Sequence, residues 1–350
     1  MSRVELPAAF PPPAASLREG AGLRVVAVMG TGSIGVGHLK ALGRLARVAP
    51  LAIPVRAQRV EELRARGCQA VSTLQEASSE GARLGVIATE TNRHVPDGLA
   101  AIRLGWDLLV EKPLARSAPE ARQLAAEARR AGRWLIVGCV LRHADSLKAF
   151  REQLPRVGAL HTVRIECQSY LPDWRPTRPY RESYSARADD GGVLRDLIHE
   201  VDYAGWLFGW PASLHARVDN LGRLGIEAEE SADLWWQAPG GYGVSIHLDY
   251  LTTPSRRRLV ACGEHGTITW DGVAQTVAVA VAGQAEDHVR RYPQTRDDML
   301  MAQARAFLDA GEGQPSDSLA TAEDGVKALA VCDAARRASQ ERREMVVAYP

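Results

Sequence analysis

Three glycines stand at the spacing of a turn that binds a phosphate group: Gly30, Gly32 and Gly35. An apolar run precedes them, and a stretch with helical periodicity follows them. In such a strand–turn–helix unit the first glycine permits a tight bend, the second lets the backbone approach a pyrophosphate, and the third allows the helix to pack closely on the strand. We therefore predict a dinucleotide-binding turn formed by Gly30, Thr31, Gly32, Ser33, Ile34 and Gly35. The alternative is a tight turn in some other α/β fold.

The segment after the second apolar run indicates which dinucleotide the turn would bind. An acidic residue about 20 positions beyond the glycines usually holds the ribose hydroxyls of NAD. Here residues 55–59 contain no carboxylate, and the next acidic residue is Glu61. Arg56 and Arg59 are suited to a 2′-phosphate, so the sequence favours NADP over NAD; the alternative is that both arginines lie in solvent on an exposed loop.

Short apolar runs alternate with helical patterns in the first half of the chain. The predicted strands are residues 23–29, 50–55, 84–89, 107–111 and 134–138. The predicted helices are residues 34–46, 59–66, 94–104 and 118–131. This alternation with short connections predicts an α/β Rossmann domain with a doubly wound parallel sheet over residues 23–145.

The pattern changes after residue 145, where strands follow one another without intervening helices. The predicted strands are residues 159–170, 212–220, 231–237, 243–250, 257–262, 267–270 and 276–282, and the predicted helices are residues 146–153, 193–208, 297–310 and 321–341. Consecutive strands predict an α+β domain with an open, mostly antiparallel sheet over residues 146–350. Residues 1–22 are rich in proline and alanine, and we predict a flexible tail there.

Composition excludes several classes of protein. The formal net charge of +1 gives no electrostatic reason to expect a nucleic-acid or membrane partner. The five cysteines are widely spaced and include no Cys-x-x-Cys pair, which argues against a disulfide scaffold or a zinc knuckle and favours a reducing cytoplasm. No apolar run is long enough to span a bilayer, and the N-terminus lacks the pattern of a secretory signal.

Three further motifs together identify a family. Residues 89–94 (Thr-Glu-Thr-Asn-Arg-His) follow a predicted strand, residues 111–113 (Glu-Lys-Pro) end a later strand, and residues 191–202 (GGVLRDLIHEVD) open a predicted helix. In this order and spacing they resemble the Gfo/Idh/MocA family, named for glucose–fructose oxidoreductase and inositol dehydrogenase. The resemblance covers residues 23 to the C-terminus. The loop with Tyr170 to Arg175 and Tyr180 to Tyr184 looks like a branch associated with surface-polysaccharide and sugar biosynthesis.

The resemblance implies both an activity and an assembly. It implies hydride transfer between a nicotinamide cofactor and a hydroxyl or keto carbon of a sugar, sugar phosphate, nucleotide sugar or cyclitol. It also implies a homodimer or homotetramer formed through the C-terminal sheet. Some members of the family act as sensors, so a non-catalytic dinucleotide-binding regulator is the alternative.

Given the resemblance, His199 is the predicted catalytic base, because imidazole titrates near neutral pH. Asp196 and Asp202 lie three residues on either side, and on a continuous helix both come near the imidazole and can orient it or contact substrate. Many family members have four steps from aspartate to histidine where this chain has three, so which aspartate orients His199 stays open. Two glycines before this helix leave room for a substrate ring. Lys112 would place an ammonium near the reacting hydroxyl.

The remaining predicted site residues follow from the same resemblance. The cofactor would contact Arg56, Thr89, Thr91, His94, Glu111 and Lys112, although the family usually has proline where Glu90 stands and His94 is equally suited to capping or packing. The substrate would contact Lys112, Arg142, Trp174, Arg175, Tyr180, Tyr184, Asp196, His199 and Asp202, with an oligomer contact or a packed loop as the alternative for residues 174–184. The resemblance suggests a cis peptide before Pro113. No metal site is predicted, because Tyr203 stands where a zincin would have its second histidine.

Overall fold

The computed structural model of the protein describes residues 22–176, 179–283 and 288–349. The predicted N-terminal tail, apart from Gly22, lies outside the described residues. The described chain divides into two compact units. The first contains residues 22–115, 119–140 and 295–325, and the second contains residues 116–118, 141–294 and 326–349.

The helices and strands are numbered here in chain order. The strands are β1 (Arg24–Met29), β2 (Val48–Ile53), β3 (Leu84–Ile87), β4 (Asp107–Val110), β5 (Leu135–Val137), β6 (Leu160–Gln168), β7 (Ser213–Asp219), β8 (Ser231–Gln237), β9 (Gly243–Asp249), β10 (Arg256–Gly263), β11 (Gly266–Asp271), β12 (Thr276–Val281), β13 (His288–Arg291), β14 (Ala320–Thr321) and β15 (Met345–Val346). The α-helices are α1 (Ser33–Gly43), α2 (Arg59–Ala65), α3 (Leu74–Ser79), α4 (Thr91–Arg103), α5 (Ala118–Arg130), α6 (Asp145–Gln153), α7 (Val193–Asp196), α8 (Ile198–Phe208), α9 (Arg296–Gly311) and α10 (Ala322–Glu341). Short 3₁₀ segments occur at Val140–His143, Leu154–Val157, Leu171–Trp174, Tyr180–Glu182 and Tyr184–Ala186.

The first unit is built on a six-stranded sheet in the order β14-β5-β4-β3-β1-β2. Strands β1 to β5 are parallel, and β14 runs antiparallel to β5. Continuous apolar sequences such as Leu135–Val137 are buried along their whole length, as expected for strands covered on both faces. The predicted Rossmann domain is confirmed.

Residues 295–325 belong to the first unit, whereas the sequence suggested that everything after residue 145 forms the second domain. The physical reason is the apolar face of α9. Its Phe307 and Leu308 are buried in the same core as Leu39 and Leu42 of α1. Covering the glycine-turn helix therefore requires a segment that lies far along the chain.

The second unit is built on a nine-stranded sheet in the order β13-β12-β11-β10-β6-β9-β8-β7-β15. Its described strand pairs are antiparallel except for β6 and β9. Alternate residues are buried on one face, where Trp270 donates a hydrogen bond from Nε1 to Ser146 Oγ of α6 (2.9 Å) and meets Tyr203 of α8 edge to face (5.6 Å). Most residues of the opposite face are exposed or half-buried, so the predicted open, mostly antiparallel sheet is confirmed.

One predicted element needs correction. The sequence suggested a continuous helix over residues 193–208, but α7 ends at Asp196 and α8 begins at Ile198. Leu197 adopts φ −98° and ψ +28°, which interrupts the helix between them. Asp196 and His199 consequently lie on different helices.

None of the described helices has the length and apolar character needed to cross a membrane. The five cysteines are free thiols, and all except Cys262 are buried. Burial raises the pKa of Cys68 and Cys332 to about 12.

Candidate functional site

The glycine turn of the first unit has little room at two of its three glycines. Gly30 has φ +92°, and a Cβ there would lie 2.5 Å from the carbonyl oxygen of Ala88. A Cβ on Gly35 would lie 1.9 Å from the carbonyl oxygen of Gly30. Both positions therefore exclude any side chain, and they bring β1, β3 and α1 into close contact.

Gly32 differs from the other two glycines because a Cβ there would meet nothing within 4 Å. Gly32 is also the N-cap of α1, and as a glycine it has no side chain with which to cap the helix. The first-turn N–H groups of a helix carry a partial positive charge and bind anions. An open side next to an uncapped helix start fits the pyrophosphate of a dinucleotide, as predicted for Gly30 to Gly35.

Arg56 lies three residues beyond the C-terminal end of β2, the strand next to β1. Its side chain is exposed, and residues 54–58 contain no carboxylate. In parallel α/β sheets, ligands bind at the carboxyl ends of the strands. The position of Arg56 thus agrees with its predicted role, and that role stays a prediction.

Glu111, at the end of β4, anchors the backbone of Lys112. Its Oε1 accepts a hydrogen bond from Nε2 of buried His38 on α1 (2.7 Å), and its Oε2 accepts one from the Lys112 N–H (3.2 Å). Gly138 makes room for this carboxylate, since a Cβ there would lie 2.9 Å from Glu111 Cδ. Burial alone would raise the pKa of Glu111, but His38 and Lys112 outweigh burial and hold this pKa below its ordinary value.

An ionised Glu111 therefore ties the glycine-turn helix to the segment that carries Lys112. The Lys112–Pro113 peptide is cis, as predicted. The Lys112 side chain is half-buried, and its predicted contacts with cofactor and substrate stay predictions.

His94, in the first turn of α4, links the ends of two strands. Its Nδ1 lies 2.9 Å from the carbonyl oxygen of Pro113, and its Nε2 lies 3.1 Å from that of Thr89. Burial lowers the pKa of His94, so the neutral ring donates to only one of the two carbonyl oxygens. The Thr89 hydroxyl donates to Asp97 (2.9 Å). These contacts favour a packing role for His94 and Thr89 in addition to the predicted cofactor contact.

Thr91 is the first residue of α4 and is buried. Glu90 is the N-cap of this helix and makes no side-chain cap. The helix begins three residues earlier than the sequence suggested, so Thr91 and His94 share its first turn.

In the second unit, Asp196 is the centre of a buried polar cluster. The Tyr250 hydroxyl donates to Asp196 Oδ2 (2.6 Å), and Tyr184 also hydrogen-bonds this carboxylate. The charge of Asp196, together with burial and this hydrogen bond, raises the pKa of Tyr184 well above its ordinary value. Burial and Asp196 do the same for Tyr250.

Two of the predicted loop residues join this cluster. The Trp174 ring meets Tyr250 edge to face at 5.4 Å, and the Arg175 guanidinium lies 5.8 Å from the centre of the Tyr184 ring. Tyr180 does not take part, because its hydroxyl donates to the Leu224 carbonyl oxygen (3.0 Å). The structure therefore brings together Trp174, Arg175, Tyr184 and Asp196.

Asp202 is bound by Arg142 through two hydrogen bonds, of 2.9 Å from Nε and 2.7 Å from Nη2. Both side chains are 2% exposed. Separating a buried charge pair is costly, because each charge would remain desolvated. The pair gives Arg142 and Asp202 a structural role, and their predicted substrate contacts stay predictions.

His199 is half-buried in the first turn of α8. The next residue, Glu200, is fully buried and accepts a hydrogen bond from Arg257 Nε (2.8 Å). The predicted continuous helix that would bring both aspartates near His199 is wrong, because Leu197 interrupts it.

The two glycines before α7 also have a different role from the predicted one. A Cβ on Gly191 would lie 2.1 Å from the Tyr184 carbonyl oxygen, and a Cβ on Gly192 would lie 2.4 Å from the Glu229 carboxylate. Instead of leaving space for a substrate ring, both make room for other parts of the second unit. Within the described residues, no group of three or more histidine, cysteine, aspartate or glutamate side chains could hold a metal ion.

Sequence reasoning missed two residues that the structure places in these arrangements. One is His38 in α1, for which the available signal was a histidine three positions after Gly35 on a helix that covers the sheet. Tyr250 follows β9, and nothing in its local sequence separates it from a core tyrosine. Both pair with a carboxylate from a distant part of the chain, 73 and 54 residues away respectively.

Two family models match the chain. A model of the oxidoreductase family with an NAD-binding Rossmann fold matches residues 24–139. A model of the GFO/IDH/MocA C-terminal domain matches residues 155–269. Together they cover both halves of the resemblance inferred from the motifs.

The chain is also similar to named proteins and to a solved structure. A myo-inositol dehydrogenase from Streptomyces leeuwenhoekii is 29% identical over 349 residues, covering 90% of this chain and 97% of the relative. A 1,5-anhydro-D-fructose reductase from Ensifer adhaerens is 27% identical over 258 residues, covering 70% of this chain and 73% of the relative. The structure of a levoglucosan dehydrogenase in complex with NADH has the same fold, with a TM-score of 0.83 at 16% identity over 94% of this chain and all of that one. The chain belongs to the Gfo/Idh/MocA family of oxidoreductases with an NAD-binding Rossmann domain.

Proposed function

We propose that the protein is an NAD(P)-dependent dehydrogenase or reductase acting on a CH–OH or keto carbon of a sugar-like substrate. The substrate class comprises sugars, sugar phosphates, nucleotide sugars and cyclitols. Related proteins act on myo-inositol and 1,5-anhydro-D-fructose, according to their names, and these compounds share secondary hydroxyl or keto groups. The proposed working form is a homodimer or homotetramer formed through the sheet of the second unit.

The observation that carries the proposal is the difference between the three glycines. Gly30 and Gly35 are closed by neighbouring backbone, while Gly32 opens onto free space beside an uncapped helix start. A turn with only a structural role would not require glycine at position 32, because any residue adopts a φ of −72°. A dinucleotide pyrophosphate would require that space.

The chemistry of the reaction assigns roles to two side chains. When bound, the nicotinamide supplies or accepts the hydride. The Lys112 ammonium stabilises negative charge on the substrate oxygen, and its backbone is held by ionised Glu111. His199 takes the hydroxyl proton during oxidation and returns it during reduction. Asp196, whose Oδ2 accepts a hydrogen bond from the Tyr250 hydroxyl, is the proposed carboxylate contact for a substrate hydroxyl.

Substitution of Lys112 and His199 tests this assignment. Purified protein should oxidise at least one member of a panel of polyols, sugars and sugar phosphates with NAD or NADP, measured by absorbance of the reduced cofactor. Lys112→Ala and His199→Ala should each lower kcat by on the order of 100-fold or more, because a charge-stabilising group or a base is lost from the transition state. Cofactor affinity, measured by fluorescence of bound NAD(P)H, should change much less for His199→Ala.

Matched controls are Lys40→Ala, in the last turn of α1, and the exposed His161→Ala, which should both retain full activity. Normal turnover in both Lys112→Ala and His199→Ala would refute the proposed chemistry. Tight NAD(P)H binding without turnover of any panel member would instead favour the non-catalytic regulator.

A further inference from the structure

A histidine on the buried face of α1 takes no part in the chemistry proposed above. His38 is 1% exposed and lies three residues after Gly35, about one helical turn further along α1. Its neighbours Val36, Leu39 and Leu42 on the same helix are buried apolar residues. A polar group buried in such surroundings is costly unless it is hydrogen-bonded. The position of His38 therefore requires a polar partner.

That partner is the Glu111 carboxylate, directly after β4. Nε2 of His38 lies 2.7 Å from Glu111 Oε1, whereas Nδ1 is buried and has no hydrogen-bond partner among the described residues. An ionised carboxylate can only accept hydrogen bonds, so Nε2 of His38 carries the proton that it donates. A hydrogen bond to a charged acceptor is stronger than one between neutral groups. The single polar contact of the imidazole is thus a strong one, and it ends on Glu111.

Glu111 connects His38 to the backbone of Lys112. His38 holds Oε1 of the carboxylate, and Oε2 accepts the Lys112 N–H (3.2 Å). Gly138, directly after β5, confines the carboxylate from a third side, because a Cβ there would lie 2.9 Å from Glu111 Cδ and 3.0 Å from Oε1. All four residues belong to the first unit. The contacts of α1 and of the end of β5 therefore determine where the Glu111 carboxylate lies, and the carboxylate in turn holds the Lys112 N–H.

We propose that His38 is a positioning residue for the reaction, which acts through the Glu111 carboxylate to set where Lys112 presents its ammonium. This inference rests on the role of Lys112 in the proposed function, and it adds a buried residue that acts only through another side chain. A shift of about 1 Å in a reacting group, caused by a change away from the chemistry, lowers the rate by on the order of 100-fold. Removal of the His38 contact releases one of several constraints on Glu111, so the expected loss is smaller.

A matched pair of substitutions separates the hydrogen bond of His38 from the volume of its side chain. Glutamine and methionine have similar length and shape, but only glutamine carries an N–H donor to replace Nε2. His38→Met should lower kcat by about tenfold, measured at saturating cofactor and substrate with the panel member that the wild type turns over fastest. His38→Gln should keep kcat within about threefold of the wild type, because a neutral donor replaces the original one. The control is Leu39→Met, a buried apolar exchange at the next position, which should retain full activity.

Gly138→Ala perturbs the same carboxylate from a different element. The added Cβ would overlap Glu111 Cδ at 2.9 Å and displace the carboxylate from its place beside His38. We therefore expect a fall in kcat similar to that of His38→Met, by about tenfold. Agreement between these two variants would locate the effect at Glu111, the one side chain that both of them disturb.

A double-mutant cycle with Lys112 distinguishes positioning from packing. If His38 acts through Lys112, His38→Met should lower kcat by about tenfold in the wild-type background and by less than about twofold in the Lys112→Ala background. A packing role for His38 predicts the same fold loss in both backgrounds. Thermal unfolding would verify that each variant is folded, and fluorescence titration with NADPH would set the cofactor concentration needed for saturation. If His38→Met does not fold, Gly138→Ala takes its place in the same cycle.

The outcomes separate a failure of this inference from a failure of the proposed function. An equal fold loss in both backgrounds, or full activity in His38→Met, would overturn the role of His38 while the effect of Lys112→Ala still supports the proposed chemistry. A His38→Gln variant as impaired as His38→Met would also overturn it, because the donor would then not be what matters. Full activity in Lys112→Ala, or a wild type that turns over no panel member, would refute the proposed function and the role of His38 together.

Discussion

Gly32 and Gly35 lie three residues apart, but a methyl group at each meets different surroundings. Gly32→Ala adds a Cβ in free space at φ −72°, so the protein should fold with unchanged or slightly higher stability, by up to about 1 kcal/mol. If that space receives a pyrophosphate, NAD(P)H affinity should fall about tenfold or more. Fluorescence titration and thermal unfolding measure the two effects.

Gly35→Ala is the matched comparison. Its Cβ would overlap the Gly30 carbonyl oxygen at 1.9 Å, so we expect a loss of at least about 2 kcal/mol in the free energy of unfolding. The contrast separates a binding glycine from a packing glycine in the same turn. Unchanged NAD(P)H affinity in Gly32→Ala would refute a pyrophosphate at that position.

Arg56 determines which dinucleotide we expect the protein to prefer. Its exposed guanidinium beyond β2 is suited to a bidentate contact with a 2′-phosphate, and no carboxylate stands nearby in the sequence to repel one. Arg56→Ala should therefore weaken NADPH binding by about tenfold, the effect of one hydrogen-bonded charge, and leave NADH binding nearly unchanged.

Parallel titrations with NADPH and NADH would check this, and the exposed Arg129→Ala on α5 is a suitable control. An equal loss of affinity for both cofactors would contradict a 2′-phosphate contact. A wild type that binds NADH more tightly than NADPH would remove the basis for the preference.

His143 makes the stability of the second unit depend on pH. Burial, with help from the nearby charges of Lys148 and Arg142, lowers its pKa from 6.5 to about 3. The folded chain therefore keeps His143 neutral while the unfolded chain binds a proton below pH 6.5. Its stabilising contribution is complete above pH 6.5 and is lost as the pH falls toward 3, at about 1.4 kcal/mol per pH unit.

Urea unfolding at pH 7, 6 and 5 measures this slope. His143→Gln removes the titrating group and should reduce the dependence of the free energy of unfolding on pH by the contribution of about one proton. The exposed His161→Gln should leave this dependence unchanged. Buried His94 acts in the same direction, so part of the slope persists in the variant. A slope that is identical in wild type and His143→Gln would contradict the expectation.

At the scale of the elements, sequence patterns located most strands and helices within two residues. Strand β8 was predicted with its observed bounds, since its alternation of buried and exposed residues is regular. Helix α3 was missed because its six residues bury only Leu74 and Ala77, too short a segment for a periodic signal. The two-residue strands β14 and β15 have no pattern of their own and depend entirely on their partner strands.

The helical interruption at Leu197 shows what local patterns cannot predict. Residues 193–208 have a helical pattern of apolar and polar residues, and no glycine or proline marks a break at Leu197. The break coincides with the Asp196 contacts to Tyr184 and Tyr250, which come from segments on either side in the sequence. These contacts join segments far apart in the sequence, so the candidate roles of Asp196 and His199 could be predicted only by resemblance.

At the scale of the whole molecule, the glycine turn and the motifs were sufficient to predict the family and the two-domain architecture. The partners of the motif residues were not predictable from the sequence. His38 with Glu111, and Arg142 with Asp202, join residues 73 and 60 positions apart. Such pairs depend on how the elements stack within each unit, which no single segment encodes.

The first unit is completed only by residues 295–325, so it cannot fold fully until they have been synthesised. The ribosome completes the entire stretch 141–294 before α9 emerges, a delay on the order of ten seconds or more. During that time the surface of α1 near Gly37, which Leu300 of α9 later contacts, has no cover from its own chain. We therefore expect a gene fragment that stops before residue 295 to leave this surface of α1 exposed and to aggregate.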